Sequence, residues 1–278
     1  MDPQPLPPGL YIVATPIGNL GDLSPRAAET LGRSDLVLAE DKRVTAKLLA
    51  HAGAKVPMAN YNDHTSKAER DNIVARLAAE AIALVSDAGT PLISDPGYKL
   101  VRDARAAGHA VFTIPGPSAV VAALTLAGLP TDRFLFGGFL PPKAKARADA
   151  IAELADIRAT LVLYESGPRL GESLASLAEV LGNREAAVVR EISKLHEESV
   201  TGSLSELAER YVSAQPKGEI VIVVGPPSES EEASDHDLET ALDEAMKSMS
   251  PSRAAAEVAA RLNVPRKRAY AMALERSR

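Results

Sequence analysis

Ser86-Asp87-Ala88-Gly89-Thr90-Pro91-Leu92-Ile93-Ser94-Asp95-Pro96-Gly97 follows an apolar run at residues 82–86. A short apolar run that stops in a stretch this dense in Gly, Pro, Asp and Ser reads as a buried strand opening into a shaped loop. Two other places repeat the arrangement. Ala14-Thr15-Pro16-Ile17-Gly18-Asn19-Leu20-Gly21-Asp22 follows a strand predicted at 10–15, and Ile114-Pro115-Gly116-Pro117-Ser118-Ala119 follows one at 110–114. In a parallel sheet, ligands bind beyond the carboxyl ends of the strands, so the three loops are expected to converge on one crevice. Gly89 and Gly97 would let backbone approach a ligand closely, and the prolines fix loop shape before binding.

Outward from these loops, β-branched runs alternate with helical patterns through residue 225, the mark of an α/β protein. Strands are predicted at 10–15, 35–39, 82–86 and 110–114, then at 134–137, 160–165, 186–191, 199–202 and 219–224. Ser66 with Glu69 makes a capping box for a helix over 67–80, and a second helix is expected over 168–181. Helical crossovers dominate the first half, while strands follow one another more closely after Ala186. The expectation is a parallel-rich domain at 1–120, a mixed-sheet α/β domain at 121–227, and a third module at 228–278.

Composition removes several classes. The 278 residues carry 31 Lys and Arg against 37 Asp and Glu, a net charge of −6, with 46% apolar residues. Ordinary apolar content and low net charge exclude disorder as the main state. With no cysteine, disulfides, thiolate catalysis and Cys-ligated metals are excluded. The apolar stretch at 119–129 is too short to span a bilayer, which needs about 20 residues, and reads as a buried helix. No secretory signal is visible, so a cytosolic protein is expected. The five histidines are scattered, and in His196-Glu197-Glu198 adjacent strand residues would face opposite ways, so no metal site is expected. G-x-G-x-x-G, Walker A and G-x-S-x-G patterns are all absent.

Charge is uneven along the chain. Residues 228–246 hold eight acids and no Lys or Arg; residues 247–278 hold eight basic residues and two acids. Leu238, Ala241, Leu242, Ala245 and Met249 fall on one helical face. Ser250-Pro251 starts a second helix with Ala255, Val258, Ala259 and Leu262 inward, which Asn263 can end. Pro265 starts a third, with Ala269, Met272 and Ala273 inward. The whole reads as a basic helix-turn-helix on an acidic tether, with Arg266, Lys267 and Arg268 at the start of the recognition helix, suited to a polyanion. A three-helix cap for dimer contacts is the alternative.

The run from Leu84 to Gly97 resembles the signature of the small-subunit ribosomal RNA 2′-O-methyltransferase I family, within the tetrapyrrole-methylase-like superfamily. Residues 11–22, Ala39-Glu40-Asp41-Lys42-Arg43, 115–119, 136–141, Tyr164-Glu165-Ser166, 190–198 and the terminal helix-turn-helix agree with it. The resemblance covers essentially the whole chain. It implies two α/β domains with S-adenosylmethionine in the cleft between them, a homodimer, and methylation of a cytidine ribose in the decoding region of small-subunit rRNA. By position, the donor would meet Pro16, Gly18, Asn19, Asp87, Ala88, Gly89, Thr90, Ser118 and Ala119, with Glu165 and Arg190 closing from the second domain. The Gly-x-Gly of other superfamily members stands here as Pro-Ile-Gly-Asn, which leaves that loop open to donor or substrate.

A ribose hydroxyl attacks poorly until its proton leaves, so the site needs a base or a charge that stabilises the alkoxide. Glu40 and Lys194 lead the candidates, beside Asp41, Glu165 and Glu197. Arg43, Lys143 and Arg169, with Arg266, Lys267 and Arg268, could hold phosphates of the rRNA or of the assembled small subunit. No membrane contact is expected. Two rivals remain: C-methylation of a tetrapyrrole precursor, which has no use for a basic helix-turn-helix, and a ligand-sensing helix-turn-helix regulator, which would bind duplex sequence tightly.

Overall fold

Five parallel strands form the first sheet: β1 (Gly9–Val13), β2 (Leu36–Ala39), β3 (Met58–Asn60), β4 (Ala81–Val85) and β5 (Val111–Ile114). They stand in the order β3-β2-β4-β1-β5 in a computed structural model that describes residues 5–214, 216–227, 235–262 and 264–277. β1, β2 and β4 are buried along their whole length because helices cover both faces. α1 (Pro25–Arg33) and α2 (Lys42–His51) bring Ala27, Leu31, Leu48 and Leu49 onto one face, against Tyr11, Val13 and Val37. α3 (Lys67–Arg76) and α4 (Tyr98–Ala106) bring Ile73, Val74, Leu100 and Ala104 onto the other, against Leu10, Ile12 and Leu84. The connections leaving the adjacent strands β1 and β4 therefore run to opposite faces. Their carboxyl ends form a topological switch point, where such sheets open a crevice.

Two sequence expectations need correction here. The Ser66–Glu69 capping box is formed, but α3 ends at Arg76 rather than at 80. Its last turn tightens, with Leu77 N–H on the Val74 carbonyl, and Arg76 then grips Glu80 at the entrance to β4. β3 was not expected. Met58-Ala59-Asn60 has neither alternation nor β-branching and pairs only through its backbone with residues 37–39.

α5 (Ala119–Ala127) follows β5 in the chain but packs on the second sheet, through Val120, Ala123, Leu124 and Ala127. It is buried on one face only; Val121 is 55% exposed. The second sheet has β6 (Phe134–Phe139), β7 (Thr160–Ser166), β8 (Glu185–Arg190), β9 (Glu198–Ser203) and β10 (Glu219–Val224), in the order β6-β7-β10-β8-β9. β6 and β7 run parallel and the other pairs antiparallel, the mixed sheet expected from the sequence. α6 (Ala144–Ala152), α7 (Leu170–Leu181) and α8 (Leu204–Tyr211) cover the face opposite α5. The predicted start of α7 at Pro168 is a separate 3-10 turn, Gly167–Arg169.

α9 (Asp235–Met246), α10 (Pro251–Arg261) and α11 (Arg266–Arg276) close around Leu238, Leu242, Ala255, Val258, Ala269 and Ala273. Residues 228–234 of the expected acidic tether, and Asn263, lie outside the described residues. The acids further on are no tether: α9 is part of the module, and its Asp235 takes Arg268 at 2.8 Å while Glu239 and Asp243 take Arg276. Among the described residues, no helix is long and apolar enough to cross a membrane.

Candidate active site

Hydrogen bonds draw the loops at the switch point together. Thr15 N–H donates to the Gly89 carbonyl at 2.8 Å, and Gly89 N–H returns the bond to Thr15 at 3.1 Å. Thr90 Oγ1 donates to the Pro117 carbonyl at 3.1 Å, tying the second loop to the third. Asp41 N–H, after β2, donates to Asp87 Oδ1 at 3.0 Å. The second sheet faces these loops with the end of β7, residues 191–194 and the start of β10. Between the two sheets lies a cavity of about 330 Å³.

Asp87, Ala88, Gly89, Thr90, Ser118, Ala119 and Glu165 all line this crevice, as do Glu40 and Lys194. Pro16 and Gly18 do not; they line a neighbouring cavity. Asn19 lines neither, because its side chain caps the 3-10 turn Leu20–Asp22 by accepting from Gly21 N–H. Glu165 is only 2% exposed; its oxygens already accept from Ser166 N–H and the Ser173 hydroxyl, and Arg169 forms an ion pair with it at 3.4 Å. Arg190 is absent from the lining and is bound to Glu198 at 2.6 Å.

The proposed phosphate ligands divide in the same way. Arg169 donates to the Leu140 carbonyl and braces Glu165, and Arg268 is ion-paired with Asp235. Lys143, Arg266 and Lys267 are exposed. Arg43 is exposed too, folded back onto Asp41 at 2.6 Å; that bond holds the Asp41 carboxyl down at about 2.

Sequence reasoning missed Asp95, Phe139, Glu191 and Glu219 as lining residues. Asp95 stood inside the quoted loop, and its Ser-Asp-Pro-Gly setting was the available signal. The described lining carries six carboxylates (Glu40, Asp87, Asp95, Glu165, Glu191, Glu219) against one ammonium, Lys194. Burial is the main cause that raises Asp95 to about 6, and the charges of Glu40, Asp87 and Glu219 add to it. Burial and then Asp87 also raise Glu40. Tyr164 is pushed up to about 12, chiefly by burial, then by Asp95 and Glu219.

Backbone strain gathers here as well. Leu92, Ser94, Glu191 and Ser193 are the non-glycine residues with positive φ among those described, and all four sit on two loops of the crevice. Such positions persist where surrounding structure over-determines them.

What the crevice can hold follows from its chemistry. Its carboxylates favour a cationic ligand. Ser118 N-caps α5 without a side-chain cap bond, so its hydroxyl and the N–H groups of the first turn can receive a carboxylate. Phe139, 59% exposed, meets Tyr164 edge to face with ring centroids 5.4 Å apart, an aromatic edge for a planar ring. Gly89, at φ 83°, brings backbone close to the cavity. These features fit a ligand that joins an amino acid, a sulfonium and an adenosine.

Comparison with known proteins agrees. The family described as Tetrapyrrole (Corrin/Porphyrin) Methylases matches residues 9–208, and the RsmI C-terminal HTH domain matches residues 232–277. A protein named Ribosomal RNA small subunit methyltransferase I from Erythrobacter litoralis (strain HTCC2594) is 55% identical over 272 residues, which span 98% of this chain and 96% of that protein. One of the same name from Mesorhizobium japonicum is 47% identical over 259 residues, spanning 92% and 88%. Among solved structures, diphthine synthase superposes with a TM-score of 0.61 at 14% identity, covering 78% of this chain and 89% of that one. Uroporphyrin-III-C-methyltransferase from Thermus thermophilus gives 0.55 at 22% identity, covering 78% and 93%. Those two likenesses establish the fold.

Sheets and crevice thus define a methyltransferase of the tetrapyrrole-methylase class, with S-adenosylmethionine as methyl donor. Within that class, the chain belongs to the ribosomal RNA small subunit methyltransferase I family.

Proposed function

We propose that this protein methylates small-subunit ribosomal RNA, at the ribose 2′-oxygen of a cytidine in the decoding region. The observation that carries the reading is the 55% identity over 98% of the chain to a protein named for that class of substrate. The acidic crevice supports it from the side of the donor. When bound, S-adenosylmethionine supplies a methyl carbon that leaves sulfur for an attacking oxygen, the electron pair staying on sulfur.

This chain's residues do the rest. The bonded loops fix the donor's position, which matters because in-line displacement depends on alignment. A carboxyl titrating at about 6, as Asp95 does, is matched to taking a hydroxyl proton near neutral pH. Glu40, raised by burial, is a second acceptor. Lys194, 3.0 Å from Glu191, places a cation where an alkoxide would develop. Arg43, Lys143, Arg266 and Lys267 would meet phosphates, positioning the RNA without reading its sequence.

The protein would act in the cytosol as a homodimer. Phe112 on β5, Phe134 on β6 and Val121 on α5 are large apolar side chains exposed by 36%, 46% and 55%, apolar area that a second copy would cover. Sedimentation at equilibrium tests the dimer.

The functional test is transfer of labelled methyl from S-adenosylmethionine into small ribosomal subunits that lack the modification, with naked rRNA in parallel. Nuclease digestion should release 2′-O-methylcytidine. Label on the base, or none in either RNA, contradicts the proposal.

A further inference from the structure

A second cavity, of about 450 Å³, adjoins the donor crevice and lies within the range of small-molecule sites, roughly 300–1,000 Å³. One wall is a face of α2, with Val44, Thr45, Lys47 and Leu48; the wall across from it is the loop after β1, with Pro16, Gly18 and Leu20. Six residues line both cavities: Ile17, Asp87, Ala88, Lys194, Gly218 and Glu219.

We infer that the second cavity takes one ribonucleoside of the substrate, turned out of its stack, and is the acceptor pocket; this rests on the methylase reading above. A methyl group moves between two sites only if acceptor oxygen and donor carbon come into contact, so the acceptor's site must open into the donor's. This cavity adjoins the donor crevice across a common wall that carries Asp87, Lys194 and Glu219. An enzyme acting on a stacked nucleotide must first extrude it, which calls for a slot of this kind.

The lining suits a nucleoside. Leu20 and Val44 stand at 43% and 39% exposure, apolar surfaces that a base can cover. Lys47 lines the same face of α2 and is exposed, and Lys42, on the first turn of that helix, is exposed too, so the two ammonium groups offer positive charge to flanking phosphates. The side chain of Lys194 crosses Gly18 so closely that an added Cβ would lie 2.3 Å from its Cε. That packing holds Lys194 at the shared wall, whereas Glu40 lines the donor crevice alone. The loop after β1 accordingly serves the substrate.

Val44→Trp and Leu20→Trp, each made singly in the full chain, fill the cavity from exposed positions. Calorimetry with S-adenosylmethionine gives donor affinity and confirms folding; single-turnover transfer into unmodified small subunits gives the acceptor readout. Donor affinity should stay within about twofold while transfer falls by about tenfold or more, the effect of a misplaced acceptor. Wild-type transfer in both variants overturns the inference, and so does loss of donor affinity, which would make the cavity part of the donor site. A wild-type chain that binds donor yet labels no small-subunit RNA overturns the functional reading instead, a pattern visible before any variant is made.

Discussion

On the first-sheet side of the crevice, the loops after β1, β4 and β5 are joined by bonds to backbone carbonyls: Thr15 with Gly89, and Thr90 with Pro117. On the second-sheet side, residues 191–197 have only local backbone bonds, Lys194 N–H to Glu191 and Glu197 N–H to Lys194. The segment is otherwise joined through side chains: Lys194 with Glu191, Arg190 with Glu198, and Ser193 with Asp22 of the first domain. Both sides contain left-handed residues. Their bonding differs, and bonding decides which side can rearrange. Largely buried backbone bonds leave a loop little freedom, whereas partly exposed ion pairs contribute about 0–1 kcal/mol each. The first side is therefore the preformed one and the second the adjustable one; under the proposed mechanism the first receives the donor and the second carries Lys194 toward the reacting atoms.

The largest effect should come from the adjustable wall. Lys194→Ala is expected to lower single-turnover methylation about a hundredfold, while donor affinity does not fall, since a cation leaves an acidic crevice, and the unfolding midpoint stays near the wild-type value. An unchanged rate would remove Lys194 from the chemistry, and Glu40→Ala tested beside it would place the proton on the donor side or exclude it.

Damage to the preformed side should appear first as lost stability. Gly97 is buried at φ 138°, and a Cβ there would lie 2.8 Å from Leu84 Cδ2 and 2.9 Å from Leu92 Cδ1. Gly97→Ala should cost about 1–3 kcal/mol by overpacking, read from urea unfolding. A smaller loss is expected for Thr90→Val, which removes the bond to Pro117; about 1 kcal/mol should leave both stability and donor affinity.

A pH series sharpens the comparison further. Asp95 rises from 3.8 to about 6, mainly through burial, so its neutral form favours the folded state. That contribution is complete below pH 3.8 and is lost as pH climbs through about 6. Asp95→Asn should therefore stabilise the protein at neutral pH and change little in acid. The same ionisation should tighten binding of a cationic donor by a few-fold between about pH 5 and 7, and the variant should lose that dependence. Glu40, Asp87, Glu219 and Tyr164 face Asp95, so any residual slope in the variant reports on them.

The preformed side was the legible one. Each of its loops follows an apolar strand and announces itself by glycine and proline, so Asp87, Gly89 and Ser118 could be placed together from sequence alone. Loop order could not say which of two cavities each residue faces: Pro16 and Gly18 belong to the neighbour, and Asn19 is spent on a turn. The second side was harder to read, since Glu191 and Glu219 lie at ends of strands apart in the chain and meet the Tyr164-Glu165 end of β7 only through the antiparallel order of β7, β10 and β8. Charge runs misled for a related reason. The acids beyond residue 234 looked like a solvated tether because their partners, Arg268 and Arg276, lie about one helical hairpin away.

The central claim is that the acidic crevice between the two sheets grips S-adenosylmethionine. Calorimetric titration of that donor into the full chain and into an Asp87→Arg variant tests it directly. Asp87 is exposed at the crevice, so the substitution reverses a charge without disturbing the core. One donor bound per chain in the wild type and no measurable heat in the variant is the predicted result; equal binding in both would contradict the account.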